Sequence, residues 1–295
     1  MHKFYTPLFD LIFKPFYHIL IVFPFTLKSG KYAVYKQIQY IHFKLTKKQR
    51  KASIIKDITP LKNCVYKMIL EPGQDFHQFH LAIAGFYEKS ITKKICLELL
   101  TADVFIDVGA YLGYYSILAA SLSPKLEVYA FEPQKEAYKK LKRNLLLNNS
   151  TINAYNYALG SKNETKDFYI DIFPERSSLI KAKQKDEAYE IEINKADDLF
   201  DFKNKNIVIK IDTEGYEFEV LKGMEKLLTQ NNCTVFFEYN PLTYKTLYGE
   251  GFSEILSIFF NDIHYKFYKI SEKSKTLAYT FKHINLCQEN LMAKK

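Results

Sequence analysis

Short apolar runs recur through the middle of the chain, each followed by a polar turn and then by hydrophobic positions at helical spacing. They predict strands at 104–107, 128–131, 152–156, 207–212 and 235–238, with helices near 114–122, 134–148 and 216–228. The run from Ile207 to Ile211 is β-branched and lacks a polar face, as a parallel strand covered on both sides requires. Strands alternating with helices in this way describe an α/β doubly wound sheet. Upstream, residues 1 to about 60 read as helices broken at Pro7, Pro15 and Pro24, and 61–100 as a lead-in with a helix over 92–100. Alternating runs at 166–172 and 189–193 flank a polar segment with Arg176, Ser177 and Ser178, the pattern of an inserted strand pair and its loop.

Three turns at predicted strand ends carry candidate chemistry. At 107–113, DVGAYLG joins strand to helix; Gly109 permits backbone angles closed to other residues, and Gly113 lets the helix start pack against a ligand or the sheet. At 128–133, VYAFEP places Glu132 nineteen positions after Gly113, the offset at which a carboxylate reaches ribose hydroxyls, and Pro133 suits the first turn of the next helix. A nicotinamide site is disfavoured, because the remaining glycines of the pyrophosphate fingerprint are replaced by tyrosine at and near 111 and 114. A cofactor with a ribose and no bridging phosphate fits better. At 207–224, IVIKIDTEGYEFEVLKGM gathers Asp212, Glu214 and Glu217 around one glycine, where ligands of open α/β sheets bind.

These motifs resemble those of the FkbM family of methyltransferases: DVGAYLGYYS at 107–116, FEP at 131–133 and KIDTEGYEFEVLKG at 210–223, in order. The likeness covers roughly residues 85–245, with smaller echoes such as GFYE at 85–88 and FEYNP at 237–241. Tyr111 departs from the family, which usually has a small polar residue there. The resemblance implies a class I methyltransferase with a Rossmann-like doubly wound sheet, closed by an antiparallel C-terminal hairpin from 263–270 and 277–283. It also implies S-adenosyl-L-methionine as methyl donor and a hydroxyl of a small molecule or glycan as acceptor. Asp107 and the backbone at Gly109 are then expected at the methionine end, Glu132 at the ribose and Asn156 to Ala158 at the adenine, with Ala110, Gly113 and Tyr114 also in the cofactor site. Asp212, which ends the central strand, is the first candidate for taking the acceptor's proton; Glu238 is the second and Glu214 the third. Glu217 suits an early-helix carboxylate at the positive dipole end, and Glu214 alternatively suits bonding to backbone amides.

Composition changes this picture mainly at the N-terminus. Residues 1–56 hold eleven Lys or Arg against the single Asp10, so the whole excess of the +9 chain belongs to them. Apolar residues from Phe9 to Phe23 precede the lysines but are interrupted by Lys14, Pro15 and His18, too short for a spanning helix. Two arrangements suit that order: a segment lying on an anionic membrane surface, or a helical extension packed on the core with its lysines in solvent. The expectation is a basic, aromatic-rich extension and lead-in over 1–100 and a methyltransferase domain over 101–295, in the cytoplasm or peripheral on the inner face of the membrane. The cysteines at 64, 96, 233 and 287 form no C-x-x-C pair and support neither zinc nor a disulfide framework. His77 and His80 share a helical spacing without further ligands, and the acid pairs suit a divalent metal without requiring one; no metal site is assigned. An RNA or DNA methyltransferase is the alternative class for the basic arm, disfavoured because Asn240-Pro241-Leu242 lacks the N-P-P-Y pattern; a non-catalytic module of the same fold is the other.

Overall fold

Val104–Val108 is buried at every residue and Asn206–Ile211 at every residue after the first, so neither strand has a polar face and both must lie inside a sheet covered on two sides. The computed structural model describes residues 53–61, 64–171, 177–180, 187–249, 251–270, 276–278 and 289–295. In chain order the elements are β1 (Ile54–Leu61), β2 (Cys64–Leu70), α1 (Phe76–Ala84), α2 (Lys89–Leu99), β3 (Val104–Val108), α3 (Tyr114–Leu122), β4 (Glu127–Phe131), α4 (Lys135–Leu147) and β5 (Asn153–Tyr155). There follow β6 (Ala158–Leu159), β7 (Glu164–Ile170), β8 (Glu187–Asn194), α5 (Ala196–Leu199), β9 (Asn206–Ile211), α6 (Glu217–Lys222), α7 (Glu225–Gln230) and β10 (Asn232–Tyr239). The last are α8 (Pro241–Tyr248), α9 (Phe252–Asp262), β11 (Lys266–Ile270), β12 (Thr276–Ala278) and β13 (Glu289–Lys294).

The main sheet has the order β12-β11-β13-β10-β9-β3-β4-β5. From β10 to β5 every pairing is parallel, and β3 sits between β9 and β4, so the chain winds outward from β3 in both directions. That reversal is the topological switch point, where a crevice opens at the carboxyl ends of the strands. The doubly wound sheet expected from the sequence is therefore present.

At its far edge β11 pairs with β12, as the hairpin expectation requires, but the strand that closes the sheet is β13, inserted antiparallel between β10 and β11. Its consecutive Leu291, Met292 and Ala293 are all buried, so both faces of the strand are covered there. The inserted pair also forms: β7 runs antiparallel to β8, β6 adds parallel to β8, and Tyr169 bridges Ser178 beyond the strands. Arg176 lies outside the described residues, as do residues 1–52 and Cys287.

Two expectations are corrected. Residues 54–61 form a strand, not the end of a helical extension, because they pair with β2 and turn only alternate residues inward. The helix expected over 216–228 is two helices: a Cβ on Gly223 would lie 1.8 Å from the carbonyl oxygen of Gly160, so the chain breaks where it passes over that backbone.

Residues 53–100 share one apolar core with the sheet. Ile58, Met68 and Leu70 of the hairpin pack in the same cluster as Phe105, Ile117 and Leu141. Asn144, fully buried in α4, fastens the layers: its Oδ1 accepts from the Ile69 N–H at 2.7 Å, and its Nδ2 donates to the Leu112 carbonyl at 3.0 Å. Among the described residues no helix is long and apolar enough to cross a membrane.

Replacing Asn144 by Ala leaves one buried donor and one buried acceptor unpaired. We expect the urea unfolding midpoint to fall by the equivalent of about 2–4 kcal/mol with an unchanged m-value.

Candidate active site

The carboxyl ends of β3, β4 and β9 form the floor of a cleft of about 1030 Å³, counting its open mouth. Strand pairing continues past the ends of β3 and β9, where the Asp212 N–H donates to the Val108 carbonyl at 2.9 Å. Gly109 follows at φ 79°, and a Cβ there would lie 1.9 Å from the Asp212 carbonyl oxygen. No side chain fits that contact, so glycine is required for the two turns to touch. Tyr111 and Glu214, both lining the cleft, hold left-handed backbone at φ 49° and 54°, strain of the kind that collects at functional sites.

Glu132, buried at the end of β4, accepts from the Tyr111 N–H on Oε2 and from the Gln134 N–H on Oε1, each at 2.8 Å. Burial pushes its carboxyl up to about 7 against the pull of those amides. Each oxygen keeps a lone pair beyond its amide bond, so the group fits the vicinal diol of a ribose. Asp107, also buried, accepts from the Ser116 hydroxyl and is pushed up to about 6, again chiefly by burial. Asn156 does not line the cleft; its Nδ2 donates to the carbonyls of Glu132 at 2.8 Å and Pro133 at 3.1 Å, bracing the turn behind the carboxylate. Gly113 also stands outside the lining, at φ 87°, where a Cβ would press on Leu141 of α4 at 2.6 Å. Ala110, Tyr114 and Ala158 do line it.

At the β9 end, Asp212 Oδ2 accepts from the Lys210 ammonium at 2.8 Å; the Lys210 side chain is 4% exposed and that of Asp212 36%. Burial disfavours the lysine's charge, yet Asp212 and Glu88 outweigh it and hold the pKa above the usual lysine value. The turn after Asp212 is held by Glu217, whose carboxylate accepts from the N–H groups of Thr213 and Gly215 and from the Tyr244 hydroxyl. Glu217 therefore does the amide bonding for which Glu214 was the alternative. The inserted loop reaches the same turn, where the Ser178 hydroxyl donates to the Glu214 carbonyl at 3.0 Å.

Glu238, at the end of β10, is outside the cleft lining, but its carboxylate lies within 4.8 Å of those of Asp212 and Glu214. Burial and then its acidic neighbours push it up to about 10. Three such acids are common without an ion, and no metal is assigned to them. His77 stacks between Tyr87, at 4.0 Å between ring centroids, and Tyr111, at 5.5 Å; burial lowers its pKa to about 3, so it is neutral.

Asp107, Gly109, Ala110, Tyr114, Glu132, Ala158, Asp212 and Glu214 thus meet on one cleft from four separate stretches of sequence. Sequence reasoning gave no cleft role to Lys210, Tyr87 or His77, all of which line it. For Lys210 the signal was legible, since a lysine inside the run IVIKI needs a buried partner; the other two line the cleft because the lead-in folds over it.

The sheet order with its antiparallel β13, and a carboxylate-walled cleft at the switch point, define a class I methyltransferase fold. The chain belongs to the family of the methyltransferase FkbM domain, whose model matches residues 107–267. It is 27% identical over 150 residues to the hexuronic acid methyltransferase AglP of Haloferax volcanii, covering 50% of this chain and 61% of that protein. It is 29% identical over 181 residues to the methyltransferase sdnD of Sordaria araneosa, covering 48% of this chain and 70% of that one. The crystal structure of methyltransferase FkbM from Methylobacillus flagellatus KT is similar at 15% identity and a TM-score of 0.43, over 65% of this chain and 44% of that one.

The raised carboxyls set a pH dependence. Folded Glu132 keeps its proton to about pH 7, whereas its unperturbed value is 4.5, so the folded chain holds a proton that the unfolded chain has released. Stability from this group is complete below pH 4.5 and falls as pH rises to about 7. Asp107 acts in the same direction up to about pH 6. Thermal melts of ligand-free protein between pH 5 and 8 should show Glu132→Gln losing less stability than wild type as pH rises.

Proposed function

We propose that this chain is an S-adenosyl-L-methionine-dependent O-methyltransferase acting on a hydroxyl of a saccharide. The observation that carries this reading is the convergence of Glu132 and Asp212 on one cleft, the first fit for a ribose diol and the second partly exposed beside a buried lysine. The likeness to a hexuronic acid methyltransferase supports a sugar acceptor. When bound, the donor supplies an electrophilic methyl group on a sulfonium. Glu132 orients the ribose, and the turn at Gly109 and Ala110 carries the methionine end. Asp212 takes the proton that the acceptor hydroxyl loses as its oxygen is methylated and the thioether leaves, and the Lys210 ammonium at 2.8 Å fixes the carboxylate in direction. In-line transfer needs alignment and exclusion of water more than a strong base, which suits a walled cleft braced by Glu217, Ser178 and Asn156.

The basic stretch 1–56 supports attachment to an anionic surface through its sequence, residues 1–52 of it lying outside the described ones.

The test separates the two roles. Glu132→Ala should abolish donor binding in calorimetry, while Asp212→Asn should bind donor within a few-fold of wild type yet lose about 10²–10⁴ in turnover of a glycan acceptor, the usual contribution of a positioned base. Full turnover in Asp212→Asn would remove the base assignment, and intact donor binding in Glu132→Ala the ribose assignment.

A further inference from the structure

Tyr111 stands in the turn after β3 in a conformation that its side chain disfavours. At φ 49° it holds left-handed backbone, which glycine and asparagine adopt readily and a bulky aromatic residue does not. Such a residue persists only where its surroundings over-determine it. Its N–H nevertheless supplies one of the two amide bonds that aim Glu132, reaching Oε2 at 2.8 Å.

The contacts that hold Tyr111 come from the lead-in. Its hydroxyl donates to Oδ2 of Asp75, and its ring stacks on His77 with 5.5 Å between centroids and 22° between planes. Asp75 has no exposed surface and is itself fixed: Oδ1 accepts from the Gln78 N–H at 2.8 Å, capping α1, while Oδ2 also accepts from the Gln78 side-chain amide. Gln78, equally buried, accepts through Oε1 from the Glu71 N–H at 2.7 Å. Glu71 is ion-paired in turn with Lys140 of α4 at 2.9 Å. A buried carboxyl group whose two oxygens are both occupied by protein donors is an anchor rather than a solvated acid. The bonds therefore run unbroken from the end of β2 through α1, Asp75 and Tyr111 to Glu132, and the last two residues line the cleft.

We propose that Asp75 is a positioning residue of the donor site: by holding the Tyr111 side chain it keeps the strained Tyr111 backbone in place, and so aims the Glu132 carboxylate at the ribose. The proposal rests on the reading of Glu132 as the ribose ligand and deepens it. Asp75 precedes residues 107–267, so the donor site is completed from outside the stretch that the family model matches.

The experiment removes the anchor while sparing the helix and the ring. Asp75→Ser keeps a side-chain oxygen for the cap of α1 and withdraws the one that reaches Tyr111; Tyr111→Phe deletes only the hydroxyl. Both are checked for folding by circular dichroism and by their urea midpoints. The probes are S-adenosylhomocysteine, the demethylated donor, and its 2′-deoxy analogue, titrated calorimetrically into full-length protein at pH 8, above the value of about 7 for Glu132. Wild type should prefer the ribose probe by about tenfold or more, as expected of a hydrogen bond to a charged group. Each variant should lower that preference at least about threefold, whereas a general loss of structure would weaken both probes alike and leave the ratio unchanged. Asparagine tolerates left-handed backbone without an anchor, so adding Asp75→Ser to Tyr111→Asn should cost no further preference. An unchanged ratio in folded Asp75→Ser and Tyr111→Phe overturns the proposal, as does a fully additive loss in the Tyr111→Asn background. If wild type lacks the preference, or Glu132→Ala keeps it, the ribose assignment fails. The anchor is then decided without ligand, by NMR titration of the Glu132 carboxyl group: its midpoint rises in Asp75→Ser if the Tyr111 N–H is released, and an unmoved midpoint overturns the proposal.

Discussion

The hydrogen bond from the Asp212 N–H to the Val108 carbonyl, with the Gly109 backbone pressed against the Asp212 carbonyl, joins the two halves of the site. The turn after β3 carries Tyr111, whose N–H bonds Glu132, and the turn after β9 presents Asp212 and Glu214. Parallel pairing of β3 with β9 in register from Val104 opposite Ile207 to Val108 opposite Ile211 brings the turns together. A side chain at 109 would force them apart, and near-attack alignment tolerates little displacement of that kind. The braces around this contact come from other parts of the chain: Glu217 from α6, Ser178 from the insertion and Asn156 from the β5 end.

Electrostatically, the cleft is a set of acids held where water is scarce. Each has a different use because each has different neighbours. Glu132 and Asp107 receive hydrogen bonds from backbone or serine, which fix their direction, while burial raises their affinity for a proton. Asp212 has a buried ammonium beside it, whereas Glu238 is raised by burial and then by the acids Asp212, Glu214, Glu217 and Glu88, more strongly than Glu132 or Asp107. A positive sulfonium suits such a wall.

Legibility in the sequence followed periodicity and burial. β3, β4, β9 and β10 were readable because strands covered on both faces must be apolar throughout, and the turns after them because Gly109, Glu132 and Asp212 stand at fixed offsets from those runs. The β1–β2 hairpin was missed although CVYKMIL alternates, because proline breaks and a long basic stretch dominate the region before it. The break at Gly223 was invisible for another reason: its cause is the backbone of residue 160, sixty-three positions earlier, and no local pattern records that contact. β13 escaped because a six-residue terminal strand carries little signal until β10 and β11 are in place to receive it.

By itself the sequence determined the doubly wound sheet, the family and the acids that end its strands, since these depend on spacing along the chain and on which residues tolerate burial. Only the tertiary structure decided which acids share a cleft, that Glu217 braces a turn while Glu214 lines the wall, and that Tyr87 of the lead-in lines the same cleft. The reason is physical. Charge interactions and hydrogen bonds act over a few ångströms of space, and residues separated by more than a hundred positions come within that reach only after the sheet and the lead-in have closed on one core.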